Sequence, residues 1–131
     1  MALVAVATLL ALVAFMTIGQ RGGGDKRSTA PAAENLFTAS LCRLSELTAA
    51  GDLSGAQNVF WDDIHLSAHA LIADLLTTDR AEAGRLSVAK GAVERDLGTL
   101  APALKTDVPV FVAATRHALT LLKVPEADAP C

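Results

Sequence analysis

Apolar residues recur every three or four positions through four stretches of the chain, a spacing that predicts four amphipathic helices. The first covers about residues 32–49 and stops at Gly51, because glycine readily adopts the left-handed conformation that ends a helix. The residues of its predicted inward face, with the small Ser40 among them, are Leu36, Phe37, Leu41, Leu44, Leu47 and Thr48.

The second helix is predicted from Ser54 to about residue 77. Ser54 and Gln57 have the three-residue spacing of a capping box, in which two side chains satisfy free N–H groups at a helix start. Trp61 falls on the apolar arc and is expected in the core or at its edge. The rest of the expected inward face is Phe60, Ile64, Ala68, Leu71, Ile72 and Leu75.

The third helix is predicted from Asp79, which has Glu82 at capping-box spacing, to about residue 100. Its expected core positions are Leu86, Ala89, Val93 and Leu97, and the small residues Ala83, Ser87 and Gly91 form a stripe expected to pack against a neighbouring helix.

The fourth helix is predicted from near Val108 to about residue 124, with Pro109 tolerated in its first turn. The expected inward residues are Phe111, Ala114, Ala118, Leu121 and Leu122.

These patterns predict an all-α fold, since no stretch shows the alternation typical of a strand. Short connections between successive helices favour antiparallel neighbours, so residues 32–131 are expected to form an up-down four-helix bundle. A helical bundle with a different crossing pattern is the alternative.

Residues 2–18 are uncharged and almost wholly apolar, which predicts a membrane-inserting segment at residues 1–18. Its length suits either a transmembrane anchor or a cleaved signal segment, and both interpretations stay open. The glycine-rich and charged residues that follow predict a flexible linker over residues 19–31.

Two signals disagree on the compartment. Arg21, Lys26 and Arg27 follow the apolar segment and favour a cytoplasmic domain by the positive-inside rule. Cys42 and Cys131 favour an oxidising compartment: Cys42 falls off the inward face, and the proline-broken tail PEADAPC can return along the first helix to form a disulfide. We predict an extracytoplasmic bundle, membrane-anchored or secreted.

The charge of the folded part argues against one class of partner. From Ser28 onward the chain contains eight of the eleven basic residues and thirteen of the fourteen acidic ones, a net charge of −5. An acidic domain repels phosphate backbones, so nucleic acid is not an expected partner.

His65 and His69 are four residues apart on the second helix, the spacing that metal sites use on one helix face. We expect them to be boundary residues of the packing face. The alternative is copper, zinc or haem binding with His117, which falls at a similar level on the fourth helix. Pairing the second and third helices about their turn places His65 opposite Ala92 and His69 opposite Val88, so no carboxylate is expected beside them.

No catalytic arrangement is predicted. Asp62 and Asp63 are adjacent and point about 100° apart on a helix, so they cannot act together on one atom. A di-iron site is not expected, because the paired Glu-x-x-His pattern is missing and only Asp62-x-x-His65 occurs. The sequence therefore predicts a non-enzymatic interaction module of the cell envelope, with the membrane and an envelope protein or a small ligand as partners.

Overall fold

The computed structural model describes residues 30–125 and Cys131. Throughout these residues the regular structure is helical and no strand occurs, which confirms the all-α class and is compatible with a helical bundle. The elements are α1 (Ala30–Ala50), α2 (Leu53–Val59), a π-helical turn (Phe60–Ile64), α3 (His65–Thr78), α4 (Arg80–Thr99) and α5 (Leu104–Leu121). Because α2, the π-helical turn and α3 follow without a break, they form the second of four long helices.

The turn between α1 and α2 is built differently from the prediction. Gly51 adopts φ 80°, as expected for the residue after a helix. The cap of α2 is Asp52, whose Oδ1 accepts a hydrogen bond from the Gly55 N–H at 2.9 Å. The predicted capping box of Ser54 and Gln57 is therefore wrong: Asp52 takes the capping position, and the Gln57 side chain instead donates to a backbone carbonyl of α4.

Helix α4 begins as predicted, because Asp79 accepts a hydrogen bond from the Glu82 N–H at 3.0 Å. The reciprocal half of the box is not made. The Asp79 N–H donates to the Leu75 carbonyl, and the Glu82 carboxylate accepts from Arg85 at 2.8 Å. Asp79 alone thus fixes the start of α4.

Helix α5 begins at Leu104, four residues before the predicted start. Leu104 is fully buried while Lys105 and Thr106 are exposed, so this segment already has the pattern of an amphipathic helix. Pro109 consequently lies inside the helix and not in its first turn. Polarity alone does not end a helix, so the exposed Lys105 and Thr106 are compatible with the earlier start.

The core is formed by inward residues of all four long helices, and most predicted positions are confirmed. Phe60 and Phe111 meet at its centre with their rings 5.8 Å apart. The other fully buried large side chains are Leu41, Leu44, Ile64, Leu75, Leu86, Leu97, Leu104, Val93, Val108 and Thr115.

Two predicted core residues, Leu36 and Leu121, are exposed instead, and Trp61, expected in the core or at its edge, is 41% exposed. Each is adjacent to a residue that faces the core, and adjacent helical residues point about 100° apart. Phe37 and Phe60 are the buried neighbours of Leu36 and Trp61, and Leu122 packs partly against the core beside Leu121.

Neighbouring helices can be followed through their side-chain contacts. His65 lies beside Glu94 and His69 beside Lys90, so α3 and α4 run antiparallel. The contacts between α4 and α5 show that these two helices also run antiparallel. Helix α1 packs against both α2 and α5. Helix α4 therefore lies between α3 and α5 and contributes residues to the polar contacts with both of them.

Within the described residues, no helix combines the length and the apolar character needed to cross a membrane. The predicted membrane segment at residues 1–18 and nearly all of the predicted linker lie outside the described residues. Helix α1 includes Ala30 and Pro31, the last two positions of that predicted linker.

Candidate functional site

The two histidines of the second helix come together where the π-helical turn ends. His65 is the first residue of α3 and His69 follows one turn later, with their rings 4.7 Å apart. The Trp61 ring lies 4.7 Å from the His65 ring. His65 is half-buried and His69 exposed, as their positions at the edge of the apolar arc lead one to expect.

A carboxylate completes this group, contrary to the sequence-based register. Nδ1 of His65 lies 2.8 Å from Oε1 of Glu94, on α4. The expected pairs of His65 with Ala92 and of His69 with Val88 are wrong by two residues. The register depends on the geometry of the turn at Asp79, which connects the two helices.

Lys90 of α4 lies at the centre of the group. Its Nζ is 2.9 Å from Nε2 of His69 and 2.5 Å from Oε1 of Glu94. The Lys90 side chain is only 4% exposed, so its ammonium depends on these two partners. We call His65, His69 and Glu94 the His–Glu cluster, with Lys90 as the cation that it holds.

The His–Glu cluster has the donor atoms of a metal site. One ligand atom from each of its three residues lies within 4.8 Å of the others. Two imidazoles and one carboxylate form a set that zinc accepts, with a fourth position left open. Among the described residues, this is the group of histidine, cysteine and acidic side chains that could hold a metal ion.

His117, the third histidine, lies elsewhere. Its Nε2 is 3.9 Å from Oε2 of Glu82, near the start of α4. Glu82 and Glu94 are twelve residues apart on α4, about 18 Å along the helix axis. The structure therefore brings His65 and His69 together and places His117 about three turns away from them.

An apolar groove lies between α4 and α5, on the other side of α4 from α3. Its volume is about 870 Å³. We call it the α4–α5 groove. Glu82, Arg85 and His117 line one end and Asp107 the other, while its apolar walls include Val88, Ala89, Ala92, Val110 and Ala114.

Two apolar side chains of the groove are unusually exposed, with Val88 at 76% and Val110 at 56%. The small-residue stripe predicted on α4 does not pack against a neighbour as a whole: Ala83 is buried, but Ser87 and Gly91 are exposed. The reason is that α3 and α5 flank α4 on other faces.

Asp107, at one end of the groove, lies close to Asp96 of α4. The pKa of Asp107 is raised, mainly through hydrogen bonding with Asp96, with burial and the negative charge of Asp96 adding to the effect. Arg95 opposes the rise, with its Nη2 3.6 Å from Oδ2 of Asp107. Since Arg95 is largely exposed, its ion pair with Asp107 has the character of a structural contact between helices.

The remaining candidate residues are two aspartates and two cysteines. Asp62 and Asp63 are exposed on the π-helical turn. Cys42 and Cys131 form a disulfide, as the sequence predicted. Sequence reasoning missed Glu94 and Lys90, although a carboxylate and a lysine four residues apart on one helix were visible as a potential ion pair.

We compared the chain with protein-family models, with curated proteins and with solved structures, and none of the three comparisons gave a match.

Proposed function

We propose that this chain is a small interaction module of the cell envelope, membrane-anchored or exported, that binds another protein and does not catalyse a reaction. The observation that carries the proposal is the α4–α5 groove, where Val88 and Val110 expose most of their apolar surface. Exposed apolar patches bounded by charged residues are typical of interaction sites.

The occupant that best suits the groove is an apolar face of a partner helix. The groove lies between two antiparallel helices, and its α4 wall from Glu82 to Ala92 extends about 15 Å, or nearly three helical turns. Small side chains at Gly84, Ala92 and Ala114 leave room for a third helix to approach closely. A helix laid into an apolar groove is a common recognition mode.

The location in the envelope is part of the same proposal. The apolar residues 2–18 support membrane insertion or export, and the Cys42–Cys131 disulfide supports an oxidising compartment. We further propose that residues 32–131 close as an up-down bundle, consistent with the antiparallel contacts of α4 with α3 and α5. The groove would then face partners outside the cytoplasm.

Site-specific photocrosslinking in the cells of origin tests the groove. A photoreactive amino acid at Val110 should give a discrete adduct with one protein, and Val88→Glu should abolish it by placing a charge in the apolar wall. Leu66 on α3 is 77% exposed, against 76% for Val88, so Leu66→Glu is a matched control and should leave the adduct intact. Loss of the adduct in both variants, no adduct at all, or an adduct with a second copy of the chain contradicts the proposed partner.

The compartment has a separate test. A reporter that fluoresces only in the cytoplasm, fused after Cys131, should stay dark in the full-length chain. A bright signal would show that Arg21, Lys26 and Arg27 set the orientation, and the envelope location would be wrong.

A further inference from the structure

We infer that His65, His69 and Glu94 form a binding site for one divalent transition-metal ion of the zinc class, and that the metal competes with the Lys90 ammonium for a single cation position. The inference rests on the His–Glu cluster alone and is independent of the α4–α5 groove, which lies on another face of α4.

The backbone already brings the ligands to the required region. His65 and His69 share one face of α3, and Glu94 reaches them from the antiparallel α4. Their ligand atoms lie within 4.8 Å of one another, while ligands around tetrahedral zinc are about 3.4 Å apart for bonds of about 2.0–2.1 Å. Side-chain rotation at the exposed His69 and the 27%-exposed Glu94 can close this difference without moving a helix.

Nε2 of His69 carries a free lone pair where the metal would bind. An ammonium can only donate hydrogen bonds, so Nε2 of His69, which faces the Lys90 Nζ at 2.9 Å, is the unprotonated nitrogen of that ring. Nδ1 of His65 is buried and makes no aligned hydrogen bond, although Glu94 is close to it. A metal that binds this buried atom replaces the proton that Nδ1 offers to the carboxylate, which only accepts hydrogen bonds.

Lys90 marks the position of the cation. Its Nζ contacts both Nε2 of His69 and Oε1 of Glu94, as a metal between these two ligands would. Both cations cannot fit there together, because their charges repel and the ligand atoms are shared. The metal must therefore displace the Lys90 side chain, which lowers the affinity of the unmodified protein.

The donor set selects the class of metal. Imidazole nitrogens suit zinc, copper and related transition metals, whereas calcium and magnesium prefer oxygen ligands throughout. With three protein ligands the ion keeps a fourth position for water. Glu94 supplies the one negative charge, and loss of the Lys90 ammonium from the site removes the opposing positive charge.

Zinc titration of the full-length, disulfide-bonded chain in detergent tests the site, after treatment with a chelator and its removal. Calorimetry should show one zinc ion per chain. Since loss of a ligand weakens binding at least as much as loss of a supporting residue, His65→Gln and His69→Gln should each weaken it by about 10-fold or more. His117→Gln is the matched control and should leave the affinity within about twofold, because a surface histidine outside the site makes little difference.

Lys90→Met distinguishes competition from simple binding. This variant should bind zinc more tightly than the unmodified chain, by about 10-fold for each 1.4 kcal/mol that displacing the ammonium costs. Cobalt absorption in the visible region should report the same order of affinities and a tetrahedral ligand field. The helical circular dichroism of each variant in chelator confirms folding, and His69→Gln keeps the test valid if His65→Gln unfolds, since His69 is exposed.

Three results would overturn the inference. The first is failure of the unmodified chain to bind zinc stoichiometrically. The second is an equal loss of affinity in His117→Gln and His69→Gln. The third is weaker binding by a folded Lys90→Met variant, which would make Lys90 a supporting residue of the site and not a competitor.

Discussion

Cys42, near the middle of α1, is joined by a disulfide to Cys131, 89 positions further along the sequence. Arg116 of α5 lies beside the bond, with Nη2 donating to Sγ of Cys131 at 2.9 Å and to Sγ of Cys42 at 3.4 Å. The disulfide thus fastens the residue at 131 to α1 next to α5, and it closes a loop that contains every other helix of the described chain.

Removing this crosslink should lower the free energy of unfolding substantially. A closed loop of this length stabilises a protein by about 4–5 kcal/mol in the chain-entropy model, and strain or residual structure in the unfolded chain reduces that value. Urea unfolding with and without reductant measures the effect. The Cys42→Ser/Cys131→Ser double variant should match the reduced protein and be insensitive to reductant; an unchanged midpoint on reduction would contradict the expectation.

Truncating the aromatic centre of the core should be similarly costly. Phe111 is fully buried against Phe60, so Phe111→Ala should lower the free energy of unfolding by about 3–5 kcal/mol through lost burial and an unfilled cavity. Leu66→Ala is the control: its side chain is 77% exposed, and we expect a change within about 0.5 kcal/mol. Equal effects of the two substitutions would show that the core is placed differently.

The ion pair of Lys90 and Glu94 should respond unequally to loss of either partner. The Lys90 side chain is 4% exposed and Glu94 27%, so Glu94→Gln leaves a buried ammonium without its counter-charge, whereas Lys90→Met leaves a carboxylate that reaches water. We expect Glu94→Gln to be the more destabilising by about 1–3 kcal/mol.

Chelator must be present in that comparison, so that metal binding does not contribute to the unfolding curves. Arg85→Met is a suitable control, because Arg85 pairs with Glu82 from a largely exposed position. Its effect should be below about 1 kcal/mol. A larger loss for Lys90→Met than for Glu94→Gln would run against the burial argument.

Asp107 should make the protein less stable as the pH rises. Hydrogen bonding with Asp96, and then burial, raise the pKa of Asp107 above 3.8, so the folded chain holds this proton more tightly than the unfolded chain. The stabilising contribution of the Asp107 proton is therefore complete below about pH 4 and is lost as the pH rises through the raised pKa.

Asp107→Asn should accordingly raise the melting temperature at pH 7 and have little effect at pH 3. Asp62→Asn removes the same charge from an exposed position on the π-helical turn and provides the control. A stabilisation by Asp107→Asn that is equal at both pH values would exclude the proton-linked cause.

The number of helices, their approximate bounds and most of the core could be read from the sequence. Leu41, Leu44, Leu86 and Val93 were correctly placed inside because helical periodicity repeats through each segment and burial follows it. The start of α4 was also local information, since the Asp79 side chain reaches only the N–H three residues later. The pairing of Cys42 with Cys131 followed from the presence of two cysteines and the orientation of Cys42 on α1.

Tertiary structure decided which side chains meet across helices. Glu94 joins His65, and Lys90 joins His69, only because α3 and α4 pack in a register two residues away from the expected one. That register depends on the turn at Asp79, whose geometry no periodicity encodes. Local sequence thus determined the helices, because their hydrogen bonds join nearby residues, while the composition of the candidate site depended on contacts between residues 21 or more positions apart.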